Sequence, residues 1–133
     1  IGTSETFKAA LLEARSIATV PESATGYSVA RVFNRLGITE QMKAKMKAQP
    51  GPAQVVAAVA NGDAELGIFL VHVLAAPGLD VVGTFPPDLQ ENVVFTAALS
   101  AETREASAAG ALLDYLKSPA AVAIIKSKGM IPG

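Results

Sequence analysis

His72 is the only histidine in a 133-residue chain that has no cysteine, and these two facts narrow the available chemistry at once. Without a thiol there is no cysteine nucleophile, no disulfide and no thiolate metal site. A single imidazole in an apolar run, with no nucleophile elbow nearby, lacks the partners of a Ser-His-Asp arrangement. Metal sites need several His, Asp or Glu side chains to converge, and here the acidic residues are scattered. No phosphate loop or dinucleotide fingerprint occurs. The residues therefore predict a protein that is not an enzyme and needs neither metal nor cofactor.

What the residues do supply is recognition by neutral donors. Residues 19–28, TVPESATGYS, crowd small and hydroxyl-bearing side chains where a β-branched strand gives way to helical periodicity. The first amides of a helix have no partner within it, and the macrodipole adds partial positive charge, which makes such a turn an anion site. The candidate contacts are Ser23, Thr25 and Gly26, where a guest could approach closely, and Tyr27 and Ser28, which add hydroxyl donors. The same residue types serve ordinary helix capping, and spacing alone leaves both readings open. Residues 50–54, PGPAQ, repeat the arrangement and add Pro52 and Ala53, although Pro-Gly-Pro is equally a generic turn. Lys43, Lys45 and Lys47 do not share one helix face, so they are expected to be solvated.

Elements that would position these residues follow from periodicity. A helix capped by Thr3 or Ser4 carries Phe7, Leu11 and Leu12, and residues 16–20 read as a strand closed by Pro21. The stripe Val29, Val32, Phe33 and Leu36 marks a second helix ended by Gly37. A short helix over 40–47, capped by Thr39, stops at the breakers 50–52, and Pro52 opens a helix with Val55, Val56 and Val59. Residues 65–70 read as a buried strand and 71–76 as a helical turn. Two extended runs, 79–85 and 92–99, flank Pro86-Pro87. Ala108, Ala111, Leu112, Tyr115 and Leu116 mark a helix, and Ser118-Pro119 starts a last one with Ala121, Ile124 and Ile125 inward. Helices between short apolar strands predict an α/β fold with a parallel or mixed sheet covered on both faces. The 92–99 run has no evident strand to pair with.

Composition agrees with a packed globule, being 50% hydrophobic and 17% charged, outside the range of disordered chains. Eleven basic against twelve acidic residues give a net charge of −1, which excludes a general nucleic-acid binder and a polybasic membrane anchor. The longest apolar run, residues 67–78, falls short of the ~20 residues that span a bilayer. The chain opens IGTSETF, without an initiator Met or a signal segment, as expected of a processed or truncated chain.

Four stretches, SIATVPESATGYSVARVFNRLGI, PGPAQVVAAVANGDAELGIFLV, VVGTFPPDLQENVVFTAALS and ALLDYLKSPAAVAIIKSKGMIPG, occur in an order that resembles the second half of extracellular solute-binding proteins of ABC importers. The branch is that of the molybdate-binding-like proteins, with the type II periplasmic-binding fold, and the resemblance runs over residues 3–133. It implies two α/β lobes that close on a ligand. Residues 1–85 would supply the second lobe with its leading helix, the core of that lobe being residues 17–82. Residues 86–133 would return to the first lobe, whose N-terminal half is absent.

By the same resemblance the ligand-facing positions cluster at Thr25, Gly26 and Tyr27, at Pro52 and Ala53, and in the loop after the third strand, with Leu70 and His72. Molybdate binders tend to carry a tyrosine where Leu70 stands here, so the implied ligand is a small oxyanion or carboxylate rather than molybdate itself. The implied partner is a membrane permease and the implied location periplasmic, with nucleic acid excluded. A ligand-sensing domain of a transcription regulator and an enzyme on a similar scaffold are the alternatives. The unpaired apolar strand around residues 93–97 is expected to drive self-association of the fragment.

Overall fold

Only three of the β-favouring residues near position 18 form a strand, β1 (Ile17–Thr19), and all three are buried. In the computed structural model, which describes all 133 residues, β1 pairs in parallel with β2 (Met46–Ala48) on one side and with β3 (Leu66–Gly67) on the other. Ile17 lies opposite both Met46 and Leu66, and Ala18 opposite Lys47 and Gly67. Parallel neighbours need crossovers, and helices supply them. α1 (Ser4–Glu13) leads into β1, α2 (Ala24–Arg35) and α3 (Thr39–Lys43) lie between β1 and β2, α4 (Pro52–Ala60) joins β2 to β3, and α5 (Val71–Leu74) follows β3.

Adjacent strand residues face opposite sides of a sheet, and the two sides of β1 belong to different cores. Ile17 packs with Phe7, Leu11, Val29, Val32, Phe33 and Met42 from α1, α2 and α3. Ala18 packs with Val55 and Ala58 of α4 and with Ala64. Thus the α/β fold with a covered parallel sheet is as expected, and so is the apolar stripe of α2. Thr3 caps α1 through a capping box, and Gly37, at φ +66°, lets the chain leave α2 in a left-handed turn.

Residues 85–91 pack onto the same unit without regular structure. The rings of Phe85 and Phe7 stand 5.2 Å apart, and Pro86 and Leu89 are buried. The chain divides into two compact units, Ile1–Val93 and Val94–Gly133. The second carries α6 (Ala106–Leu116) and α7 (Pro119–Ser127), with the Ser118 hydroxyl accepting from the Ala121 amide at 3.3 Å.

Several expectations are corrected. Residues 40–47 do not make one helix. It stops at Lys43, and Met46–Ala48 becomes the edge strand, because the Lys45 carbonyl accepts from the Ile17 amide at 2.9 Å and draws the chain into the sheet. Pairing across the fold outweighs local helical preference here. Nor are the lysines merely solvated, since the ammonium groups of Lys45 and Lys47 bond the carbonyls of Leu12 and Asp63. Ile38, not Thr39, precedes α3. The runs 79–85 and 92–99 form no strand, for an extended segment becomes a strand only when a partner takes its amides and carbonyls. In the second unit Ala121 is buried, but Ile124 is 57% exposed, as are Leu112 and Tyr115 to a similar degree. The stripes of α6 and α7 are there but uncovered. No single helix is long and apolar enough to cross a membrane, although α6 and α7 together, bent by 58°, have the length and composition.

The sheet's dependence on β1 is directly measurable. Ile17→Ala is expected to cost ~2–5 kcal/mol, as for other buried aliphatic truncations. Leu12→Ala, on the exposed side of α1, should stay within ~0.5 kcal/mol. Urea midpoints of the two variants check the contrast.

Candidate functional site

Because β1, β2 and β3 run the same way, α2, α4 and α5 all start beyond one edge of the sheet, after Thr19, Ala48 and Gly67. Ligands of open α/β sheets sit outside this carboxyl edge. The strand ends beneath it are tied together: the Gln49 amide donates to the Thr19 carbonyl at 2.8 Å, and the Thr19 hydroxyl to the Ile68 carbonyl at 3.0 Å.

The two longer helices begin there in different ways. Ser23 caps α2 from an extended backbone. Its Oγ accepts from the Gly26 amide at 3.0 Å and donates to the Val20 carbonyl at 2.7 Å. The Tyr27 amide reaches the Ser23 carbonyl at 3.0 Å, which leaves the amides of Ala24 and Thr25 without a partner in the chain. At α4, Gly51 offers no side-chain cap and Pro52 has no amide to satisfy. The first helical bond runs from the Val55 amide to the Gly51 carbonyl at 3.2 Å, so the Ala53 and Gln54 amides are also unpaired. Two dipole ends with free donors thus stand on adjacent parallel strands, with no acidic residue in either first turn. Such an arrangement is chemically suited to a small anion.

Other residues singled out from the sequence are placed differently. Gly26 is buried, and a Cβ there would lie 2.3 Å from the carbonyl oxygens of both Val20 and Pro21. The missing side chain therefore makes room for the chain's own turn. Thr25 is buried beside it, while Tyr27 is 61% exposed. Ser28 is buried one turn further along, where its hydroxyl accepts from Arg31 Nη2 at 3.0 Å. Pro52 and Ala53 are exposed at the start of α4. Leu70 precedes α5 and His72 lies within it, both half-buried, at the end of the third strand. The carboxyl edge thus collects Ser23, Thr25, Tyr27, Pro52 and Ala53, with Leu70 and His72 on the side of β3.

Two surface hollows lie elsewhere. One, of about 440 Å³, is at the opposite, amino edge of the sheet and is lined by Arg15, Ser16, Lys47, Asp63 and Glu65 among others. Its polar groups satisfy one another. The Glu65 carboxylate accepts from the Arg15 amide at 2.9 Å and from Arg15 Nε at 3.0 Å, which holds its pKa below the ordinary value, the backbone bond contributing most. The other, of about 300 Å³, lies between residues 1–2 and 82–87. No group of three or more His, Cys, Asp or Glu side chains is placed to hold a metal ion.

One feature escaped sequence reasoning. Arg31 on α2 grips Glu91, with Nε at 3.3 and 3.0 Å from the two carboxylate oxygens and Nη2 at 2.5 Å from the second. The Arg31 bond is the largest influence holding the Glu91 carboxyl below its usual range. Sixty residues separate the partners, so no local pattern announces the pair.

Two substitutions separate the roles at the start of α2. Ser23→Ala should cost ~1 kcal/mol for a lost N-cap. Gly26→Ala should cost clearly more, since backbone carbonyls rather than flexible side chains meet the new methyl. Equal thermal midpoints for wild type and Gly26→Ala would contradict the packing described.

The sequence profile described as bacterial extracellular solute-binding protein matches residues 3–131. The chain is 34% identical to an aconitate isomerase of Pseudomonas sp, over 99% of this chain and 50% of that protein. It is also 34% identical to the molybdate-binding protein ModA of Azotobacter vinelandii, over 86% of this chain and 46% of that protein. It therefore spans about half the length of these curated relatives. No solved structure matches it. A profile match over almost every residue, on a parallel α/β unit whose helices start at one sheet edge, settles the family: the chain belongs to the bacterial extracellular solute-binding proteins.

Proposed function

We propose that this chain is part of the solute-binding component of an ABC importer, and that it captures a small oxygen-bearing anion at the starts of α2 and α4. The observation that carries the reading is the set of unpaired amides at Ala24, Thr25, Ala53 and Gln54, brought to one edge by adjacent parallel strands. The names of the two relatives support the chemical class, one being a molybdate-binding protein and the other an aconitate isomerase. Molybdate is an oxyanion and aconitate a tricarboxylate, so neutral N–H donors and positive dipole ends suit both.

In this reading Ser23, Thr25, Tyr27, Pro52 and Ala53 line the anion's side of the cleft, with Leu70 and His72 flanking it. Gly26 and Ser28 shape and hold α2 from behind. Residues 1–85 are the second lobe with its leading helix, the segment that follows still packs on it as far as Val93, and the chain beyond returns to a first lobe that lies largely outside these 133 residues. The exposed apolar side chains of α6 and α7 support that return, because such stripes are normally covered. For the same reason the 133 residues by themselves should self-associate, with the 93–97 segment as the adhesive edge. The whole protein works in the periplasm by hinge closure, the ligand favouring the closed form through contacts made only there, and hands its solute to a membrane permease. It performs no catalysis.

A second reading, isomerisation of a small tricarboxylate, is favoured by one observation, the identity with aconitate isomerase across 99% of this chain. Calorimetric titration of the intact gene product with molybdate and with aconitate, followed by analysis of the recovered aconitate, separates the two. Stoichiometric heat with one anion and unchanged aconitate supports capture. Conversion of aconitate supports the isomerase, and absence of heat with either anion overturns both. Ala24→Pro removes one donor at the position of a helix where proline is best tolerated, after a Ser23 already extended. It should weaken binding by ~10-fold or more while the thermal midpoint holds.

A further inference from the structure

We propose that Arg31, Ser28 and Glu91 form a clasp that fixes the point at which the chain leaves the first compact unit, so that freedom of the backbone begins at residue 92 and not at the Pro86-Pro87 pair where the sequence breaks. This inference stands on geometry alone and does not depend on what the protein binds.

An isolated exposed ion pair contributes little, because it orders two long side chains in a solvent of high dielectric. The Arg31–Glu91 pair is itself partly exposed, and what sets it apart is the number of bonds it makes. Nε and Nη2 of the guanidinium converge on Oε2 of the carboxylate, and Nε also lies 3.3 Å from Oε1, so three bonds restrict direction as well as distance. Nη2 also donates to the Ser28 hydroxyl at 3.0 Å. Ser28 is buried on α2, so the contact is braced by a residue that the core itself holds. The mutual shifts, Glu91 downward and Arg31 upward, agree with an attraction made by these bonds.

Other anchors lie on the same short segment. Leu89, 3% exposed, plugs the core formed with Phe7, Val29 and Val32. Arg35 Nη2 donates to the Asp88 carbonyl at 2.5 Å, and the Ser4 hydroxyl bonds the Asp88 carboxylate. The segment closes on itself through the Leu89 and Gln90 amides, both on the Pro86 carbonyl at 2.9 Å. Just past Glu91 the environment changes: Val94 is 81% exposed, and the first unit ends at Val93. A plug held only from its N-terminal side could lift out by rotation about the backbone that follows it. The clasp, two residues beyond Leu89, closes that route.

The test is hydrogen exchange on the full chain, read at the Leu89 and Gln90 amides. Glu91→Gln keeps the size of the side chain and removes its charge. It should speed exchange at these two amides by ~3–10-fold, while amides of β1 and β2 exchange at wild-type rates and the thermal midpoint stays put. Unchanged exchange at Leu89 and Gln90 would overturn the proposal. So would an equal acceleration throughout the first unit, which would make Glu91 a contributor to general stability and not a clasp.

Discussion

The parallel pairing of Ile17–Thr19 with strands on both sides governs the rest of the molecule. Parallel strands cannot be joined by hairpins, so β1 and β2 are each followed by a crossover, and the first helix of each crossover starts beyond the same edge. The polarity of the site follows from this topology. Unpaired amides and positive dipole ends gather at the carboxyl edge, whereas the amino edge holds the self-satisfied group around Arg15 and Glu65. Had β2 run antiparallel, α4 would start at the far edge and the two helix starts would not share a surface.

On that frame the two helix starts divide their labour. α2 is firmly built: Ser23 caps it, Gly26 admits the 20–21 turn, and Ser28 joins the Arg31 network. α4 is bare, with glycine and proline in place of a capping side chain. The amides left over on each are those nearest the strand ends. A buried donor without an acceptor costs ~1–3 kcal/mol, so an acceptor that reached these amides would satisfy them. Membership of the solute-binding family fits such a division between a rigid half and a closing partner.

How much of this was legible beforehand depended on range in sequence. The stripe Val29, Val32, Phe33 and the Ser118-Pro119 start are local signals, and the structure carries both. β2 was not legible, because Met46-Lys47-Ala48 has no strand pattern of its own and exists through its bonds to β1. Gly26 was legible as a special position but not in its purpose. Its neighbours in space are carbonyls five and six residues back, and spacing cannot tell such a turn from an approaching ligand. Arg31 and Glu91 are sixty residues apart and are brought together by Leu89 packing in the core of α1 and α2. The apolar stripes of α6 and α7 are plain in the sequence, yet pattern alone does not say whether a face is covered.

The claim on which everything turns is that amides at the carboxyl edge grip the anion. Backbone ¹⁵N–¹H spectra of the intact gene product, recorded during titration with molybdate and then aconitate, test it most directly. The account predicts that the Ala24, Thr25, Ala53 and Gln54 resonances move with the binding isotherm. Saturable binding that leaves those four still and moves the amides of Arg15, Ser16 and Glu65 instead would contradict it.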